Sequence, residues 1–421
     1  VEAAYDLATP CSIIGRRWVP AFAGTTNSGF APFFKPSFPR TREPSDVVFD
    51  TVAILGRRSR MTRTLLIMAG GTGGHIMPGL AIAETMRARG WAVRWLGTAH
   101  GMENRLVPEA GIALDTIAFA GLRGKGIGHA LRGVGQLISG LIESVRFVSK
   151  LKPHAVLGMG GYVTVPGGFA AALARIPLAL MNSDSSLLMS NRALKPFATR
   201  LMFGLPGNVK EAGDKAVWTG SPVRAAIGAL PPPAERYATR SGPLRVLVLG
   251  GSLGAATLNR NVPLALATID EAERPDVIHQ AGAQHAEALA AVYRDVGVAA
   301  SVQPFITDMA ACYAEADLVI CRAGAITVSE LTAVGVASVL VPLLASTTTH
   351  QRDNAIYLAA AGAAIHLPQT ELNAQSLASL LRSFTRERLL TMAEAARALG
   401  KPQATDTVAD EIEALARKDV A

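Results

Sequence analysis

From Thr64 onward, short apolar runs alternate with stretches whose apolar residues recur every three or four positions. That is the pattern of strands and helices in βαβ units around a parallel sheet. "TLLIMA", "AVRWLG", "HAVLGM" and "PLALMN" read as strands of the first half. The opening then returns: "LRVLVLGGSLGAATLNR" again runs leucine and valine residues into glycines and then into a helical pattern, followed by "DVIHQAG", "DLVICRAG" and "ASVLVPL". Gly70 and Gly250 stand about one domain length apart. Between them "ALPPPAERYATRSGP" carries Pro231, Pro232, Pro233 and Pro243 and reads as an exposed linker. The pattern predicts an α/β chain of two Rossmann-like, doubly wound domains facing each other across a cleft. Such sheets bind ligands at the carboxyl ends of their strands, so the cleft has room for two substrates.

Residues 1–60 differ from the rest. Pro, Phe and Arg are scattered with neither helical nor strand periodicity, and no continuous apolar segment resembles a secretory signal. Met61 runs directly into the first strand and is expected to be the true start. The preceding segment reads as a mis-called or disordered extension, with a disordered partner-binding tail as the rival reading.

Composition narrows the partners. The 421 residues suffice for two cores, and the net charge of +8 favours an anionic partner: nucleotide, phospholipid or nucleic acid. Only 5% of residues are aromatic, which argues against base-stacking platforms and hence against nucleic acid. Cys11, Cys312 and Cys321 form no paired spacing and no zinc pattern, which fits a reducing cytoplasm. The most apolar stretch, 155–181, is interrupted by glycines, Pro166, Arg175 and Pro177, and "LTAVGVASVLVPLLAS" is too short to span a bilayer. Any membrane contact is expected to be peripheral.

The glycines after each first strand test three chemistries. A dinucleotide site needs G-x-G-x-x-G and an acid about 20 residues on. Starting at Gly71 the third glycine is replaced by Ile76, and the second strand ends "VRWLGTAH" without an acid. "GGSLGA" misses the same fingerprint, and "VIHQAG" again offers no acid. Neither stretch is a P-loop. What remains is a tight strand-to-helix turn or a backbone-lined pocket in which main-chain N–H groups and a helix N-terminus hold anionic oxygens.

"CRAGAITVSELTAVG" carries more. A strand turns at "RAG", and the helix that follows offers free N–H groups from Ala325, Ile326 and Thr327 to a diphosphate. Glu330 lies three residues on, on the same helix face, where a carboxylate can accept both hydroxyls of a ribose. Taken alone, Glu330 equally suits a complement to the helix dipole.

"GGTGGHIMPGLAIAETMRARGWAVRWLGT", "GLRGKG", "VLGMGGYVTVPGG", "GSPVR", "VLVLGGSLGA" and "CRAGAITVSE" occur in order from about Met61 to the C-terminus. Together they resemble the MurG family, bacterial transferases that add N-acetylglucosamine to the undecaprenyl-linked muramyl-pentapeptide carrier in peptidoglycan synthesis. The resemblance implies the GT-B fold, with an acceptor and membrane domain over 61–223 and a UDP-sugar-binding domain over 224–401. A C-terminal helix, about 402–421, is implied to cross back onto the first domain. It also implies UDP-N-acetylglucosamine as donor, no metal or other cofactor, possible partners among cell-wall synthesis proteins, and residence on the cytoplasmic face of the bacterial inner membrane.

By the same resemblance, Ser252 and Arg224 face the diphosphate, Ile306 meets the uracil through its backbone, and Gln351 and Asn354 contact sugar hydroxyls. Without it, Gln351 and Asn354 suit helix capping and surface polarity equally well. Thr72, Gly73 and Gly74 join the donor-binding set, although the first glycine loop as a whole is placed on the acceptor side, making room for a lipid pyrophosphate. Gly160, Gly161 and Tyr162 belong to the acceptor side. His75, behind the glycines, is the expected catalytic base, kept neutral by the helix N-terminus; a cap or hydrogen-bonded turn residue is its alternative. Two departures stand out. "MNSD", Met181 to Asp184, replaces the family's His-Glu-Gln-Asn, leaving Asp184 or Asn182 as the contact to donor or acceptor, and Leu253 replaces a glutamine.

Ile127, Leu131, Val134, Ile138, Leu141, Val145 and Val148 are spaced as one face of an amphipathic helix flanked by Arg123, Lys125, Arg132, Arg146, Lys150 and Lys152. Most of that face is expected to pack on the sheet. The resemblance adds a basic-rimmed apolar patch near Ile127 and Leu131 that rests on anionic lipid. Two other functions fit the same features: another GT-B UDP-sugar transferase or an epimerase, and a nucleotide-sugar binding module without turnover.

Overall fold

Along the first strand, Thr64–Ala69, Leu65, Ile67 and Ala69 enter one hydrophobic cluster while Leu66 and Met68 enter another. A strand apolar at every position needs cover on both faces, and helices supply it on each side of the sheet. The computed structural model of the chain describes residues 62–71, 73–118, 127–184, 186–207, 209, 213–251, 254–343 and 349–418, together with Cys11–Ile14 and Arg17–Pro20; for these two short segments and for 127–134 and 418 only the backbone is described.

The first sheet has seven parallel strands in the spatial order 113–117, 92–98, 64–69, 155–160, 178–182, 200–203, 216–218. The second has six, also parallel, in the order 301–303, 276–280, 245–249, 318–321, 337–340, 364–366. Numbered within each half, both sheets begin 3-2-1-4-5-6, the doubly wound order, in which the chain reverses direction between strands 1 and 4. In the first sheet that point lies between Ala69 and Gly160, which pair across a register shift at Met68 and Ala69. In the second it lies between Leu249 and Cys321, which pair directly. Ligands bind outside such reversal points, and the glycine turns after strands 64–69, 155–160, 245–249 and 318–321 fall there.

The segment expected to be an exposed linker is exposed over most of its length, Pro231, Pro232 and Pro243 included, but it is also anchored. Pro233–Ala238 forms a helix with Pro233, Arg236 and Tyr237 buried. A proline in the first helical turn needs no N–H partner, so "PPP" starts a helix here. Arg236 donates to the carbonyls of Pro231, Tyr313 and Val334, and Tyr237 donates its hydroxyl to the Asp317 carbonyl at 2.7 Å. Arg240 and the wholly buried Asp317 pair at 2.6 Å. Carbonyls left over at helix ends attract guanidinium groups, and this binds the segment to the second domain. Near the chain start, where neither periodicity was expected, Cys11–Ile14 and Arg17–Pro20 pair as an antiparallel hairpin. Its sequence signal is Gly15-Arg16 between two short apolar runs. The rest of residues 1–60 lies outside the described residues.

The last helix, Ala404–Lys418, returns to the first domain. Val408, Ala409, Ile412, Leu415 and Ala416 enter the cluster that holds Ile82, Met86 and Trp95. Around this seam Arg89 pairs with Asp406 and Asp410, Arg200 pairs with Glu411, and the Trp91 indole donates to Glu413. Thr405 donates to the Val223 carbonyl at 2.9 Å where the chain crosses between domains. The apolar contacts outweigh the ion pairs, because Asp406 and Asp410 are two-thirds exposed and screened by water. Ile412→Ala is therefore expected to lower stability by about 2–5 kcal/mol and Arg89→Ala by about 1 kcal/mol or less. Denaturant unfolding of both variants checks the order; equal losses would overturn it.

Candidate active site

The first-domain side is built on the turn after Ala69. Gly71 holds φ +99°, Thr72 lies outside the described residues, and the helix Gly73–Ala88 begins at once. Gly73, Gly74 and His75 thus form its first turn. The His75 ring packs against Gly160, where a Cβ would stand 2.7 Å from ring atoms Cε1 and Nδ1. A Cβ on Gly161 would stand 2.4 Å from the Gly70 carbonyl oxygen, and both residues hold positive φ, +116° and +86°. Only glycine meets both demands. Gly160 and Gly161 are therefore brought beside His75, with the partly exposed Tyr162 following.

Burial lowers the His75 pKa from its ordinary value. The charge of Asp184 and the Met159 carbonyl favour the protonated ring but do not overcome desolvation. Nδ1 is buried without a well-directed hydrogen bond, so the Met159 carbonyl acts as a nearby dipole rather than a partner. The ring is neutral at pH 7 and can accept a proton.

Across the cleft, Gly250 ends the strand Arg245–Leu249, and Gly251 and Gly254 both hold φ +77° before the helix Ala256–Ala267. Ser252 and Leu253 between them lie outside the described residues. The helix Ala325–Val334 starts at Gly324, which has no side chain to cap it, so the N–H groups of Ala325, Ile326 and Thr327 point forward unclaimed by a cap. This helix and Gly73–Ala88 approach each other across the cleft.

Glu330 accepts from Arg224 Nη2 at 3.2 Å and from the Tyr313 hydroxyl at 3.0 Å. Its pKa is raised, with burial outweighing the opposing pull of Arg224 and Tyr313. Arg224, expected to face the diphosphate, is thus tied to the carboxylate expected to face the ribose, while its Nε remains buried and unpartnered. Ile306 buries its side chain in the second-domain core, leaving its backbone as the part available to a ligand.

Gln351 accepts the Leu343 N–H at 2.9 Å. Asn354, expected to meet sugar hydroxyls, instead spends its amide nitrogen within the protein because the residue is wholly buried. It donates to the Ala323 carbonyl at 3.1 Å and to Asp184 Oδ1 at 3.4 Å. Asn182 and Asp184 are also separated in role. Asn182 is wholly buried, donates to the carbonyls of Asp184 and Ser186, and accepts from Leu188 N and Asn191 Nδ2. It shapes the turn, and Asp184 reaches the cleft. Beside it Ser186 contacts His350 Nδ1 of the other domain.

Arg123 and Lys125 lie outside the described residues, as do the side chains of Ile127 and Leu131. Farther along the helix Ile127–Leu151, Val148 is buried, whereas Ile138 and Ile142 are exposed. Sequence reasoning missed Tyr313, Asn191 and the Ser186–His350 contact. A tyrosine on an apolar helix face reads as core, and contacts between loops carry no periodicity.

Residues 65–203 match the glycosyltransferase family 28 N-terminal domain, and residues 245–409 match the family's C-terminal domain. The chain is 59% identical over 355 residues, 84% of its length and 99% of the relative's, to the UDP-N-acetylglucosamine--N-acetylmuramyl-(pentapeptide) pyrophosphoryl-undecaprenol N-acetylglucosamine transferase of Herminiimonas arsenicoxydans. It is 58% identical over 362 residues, 85% of its length and 99% of the relative's, to the protein of the same name from Methylibium petroleiphilum. Among solved structures, Acinetobacter baumannii MurG superposes with a TM-score of 0.71 at 36% identity, covering 84% of this chain and 99% of that one. The UDP-GlcNAc 2-epimerase of Neisseria meningitidis, at 13% identity and a TM-score of 0.59 over 83% of this chain and 100% of its own, shares the fold alone.

The electrostatics of His75 are directly measurable. Followed by NMR, its ring is expected to titrate with a midpoint below 6.5, because burial disfavours the imidazolium. A midpoint above that value would mean that Asp184 dominates.

Proposed function

The chain belongs to glycosyltransferase family 28, in its MurG branch, and from that premise we propose that it transfers N-acetylglucosamine from UDP-N-acetylglucosamine to undecaprenyl-pyrophosphoryl-N-acetylmuramyl-pentapeptide in peptidoglycan synthesis. In the mechanism, an acceptor sugar hydroxyl attacks the anomeric carbon of the donor. The bond from that carbon to the diphosphate oxygen breaks, and UDP leaves with inversion. His75 takes the hydroxyl proton as general base. The helix start at Ala325 to Thr327, with Arg224, stabilises the negative charge gathering on the departing diphosphate. Glu330 holds the ribose.

The observation that carries the reading is the link across the cleft. Asp184, whose charge acts on His75, accepts from Asn354, and Asn354 donates to the Ala323 carbonyl just ahead of the donor helix. Base and diphosphate donors therefore belong to one site assembled from two domains. In this reading residues 61–223 with the C-terminal helix take the acceptor, and residues 224–401 take the donor.

Incubation of the chain with UDP-N-acetylglucosamine and a lipid-linked muramyl-peptide analogue is expected to yield the disaccharide-lipid and UDP. Free epimerised sugar nucleotide, or binding without product, would support the competing functions instead. His75→Ala is expected to lower kcat about a hundredfold or more with donor binding unchanged. Near-normal turnover in that variant would end the base assignment.

Among the described residues no helix is long and apolar enough to cross a membrane. Exposed Ile138 and Ile142, followed on the same helix by Arg146 and Lys150, support peripheral contact with anionic lipid. Membership of the MurG branch supports placing that contact at the cytoplasmic face of the inner membrane. Co-sedimentation is expected to be stronger with anionic than with neutral vesicles and to weaken with salt; equal partitioning would count against the assignment.

A further inference from the structure

Glu103 is wholly buried, and the proposed chemistry makes no use of it. It opens the helix Glu103–Glu109, and its carboxyl reaches back beneath the ends of the first two strands of the first domain. Oε2 accepts the Gly71 N–H at 3.0 Å. Oε1 accepts the Thr98 N–H at 3.0 Å and the Thr98 hydroxyl at 2.6 Å. Glycines make room for it: a Cβ on Gly70, Gly97 or Gly101 would stand 2.8, 2.8 or 2.1 Å from a Glu103 side-chain atom. A buried carboxyl is costly unless its lone pairs are used, and here three donors use them, two from the main chain.

The contact bears on the cleft. Gly71 sits just ahead of the helix that starts at Gly73, so the geometry of that turn fixes where the helix begins and where His75 stands. On its other side the turn packs against Gly161, whose neighbour Gly160 packs against the His75 ring. We propose that Glu103 is a positioning residue that clamps the Gly70–Gly71 turn and so holds His75 at the reacting hydroxyl; this rests on the reading of His75 as the base. The clamp also separates the characters of the two glycine turns. The Gly71 N–H is already committed to Glu103, so a lipid pyrophosphate at the first turn has to find its donors elsewhere. At the corresponding place in the second half, the residue packed against the glycine turn is His285, where a Cβ on Gly254 would stand 2.8 Å from His285 Cδ2. The first turn orients a base.

Glu103→Gln keeps the side-chain volume but turns one acceptor into a donor facing main-chain N–H groups. Its kcat is expected to fall about tenfold or more while the KM for UDP-N-acetylglucosamine stays within about twofold, because the groups proposed for the diphosphate and ribose, Ala325 to Thr327, Arg224 and Glu330, lie in the other domain. Combined with His75→Ala, it is expected to change the residual kcat by less than about twofold, because the group it positions is gone. Wild-type kcat in Glu103→Gln overturns the proposal, as does a loss that persists undiminished in the His75→Ala background or a parallel rise in donor KM. Should Glu103→Gln show no cooperative melting, Thr98→Val, which removes only the hydroxyl donor, takes its place. A loss of kcat of about threefold or more at constant donor KM then supports the clamp, and wild-type kcat overturns it. Normal turnover in His75→Ala sinks the base reading and the clamp with it, whereas wild-type kcat in Glu103→Gln beside a large loss in His75→Ala overturns the clamp alone.

Discussion

A side chain at Gly161 would collide with the Gly70 carbonyl, and one at Gly160 would collide with the His75 ring. This close approach of two backbones at the reversal point of the first sheet is the constraint on which the cleft depends. It brings the turn after the first strand against the turn after the fourth, and it leaves the histidine ring nowhere else to go. The lowered pKa of that ring follows from the same crowding, because the packing strips water from part of an imidazolium. Packing and acid–base behaviour are here one fact seen at two scales.

The second sheet repeats the topology but not the chemistry. Its reversal point faces the start of a helix left uncapped at Gly324, and a carboxylate one turn on is held by an arginine and a tyrosine from two other elements. Main-chain N–H groups and Arg224 give this side a positive character suited to a diphosphate. The first side instead buries an acid beneath its glycine turn. In the proposed reaction the two copies of one architecture supply a base and an anion site, the polarity that transfer from a nucleotide sugar to a hydroxyl requires.

Among the described residues, contacts of different physics join the halves. Asp184 and Ser186 reach Asn354 and His350 by polar contacts at the cleft. Thr405 ties the crossing point. The last helix buries an apolar face in the first domain. The last of these is the strong one, since it removes whole side chains from water. The cleft contacts are few and polar, so they set alignment more than stability.

The sequence by itself determined the two parallel sheets, because strands buried on both faces must be apolar at successive positions and their glycine ends repeat. It also marked the glycine turns, with His75, Ala325 to Thr327 and Glu330 as candidates, through motifs that are local in the chain. It read the exposure of "PPP" but not the anchoring beside it, since a proline signals a fixed φ and cannot say whether an arginine nearby will find buried carbonyls. Only the tertiary structure separated Asn182 from Asp184, turned Asn354 inward, joined Arg224 to Glu330 and placed Glu103 under Gly71. Apart from the local turn that Asn182 shapes, these are hydrogen bonds between residues far apart in sequence, and such bonds leave no period or spacing to read. Local geometry is written in the order of residues; which polar atoms finally meet is decided by how the sheets and helices pack.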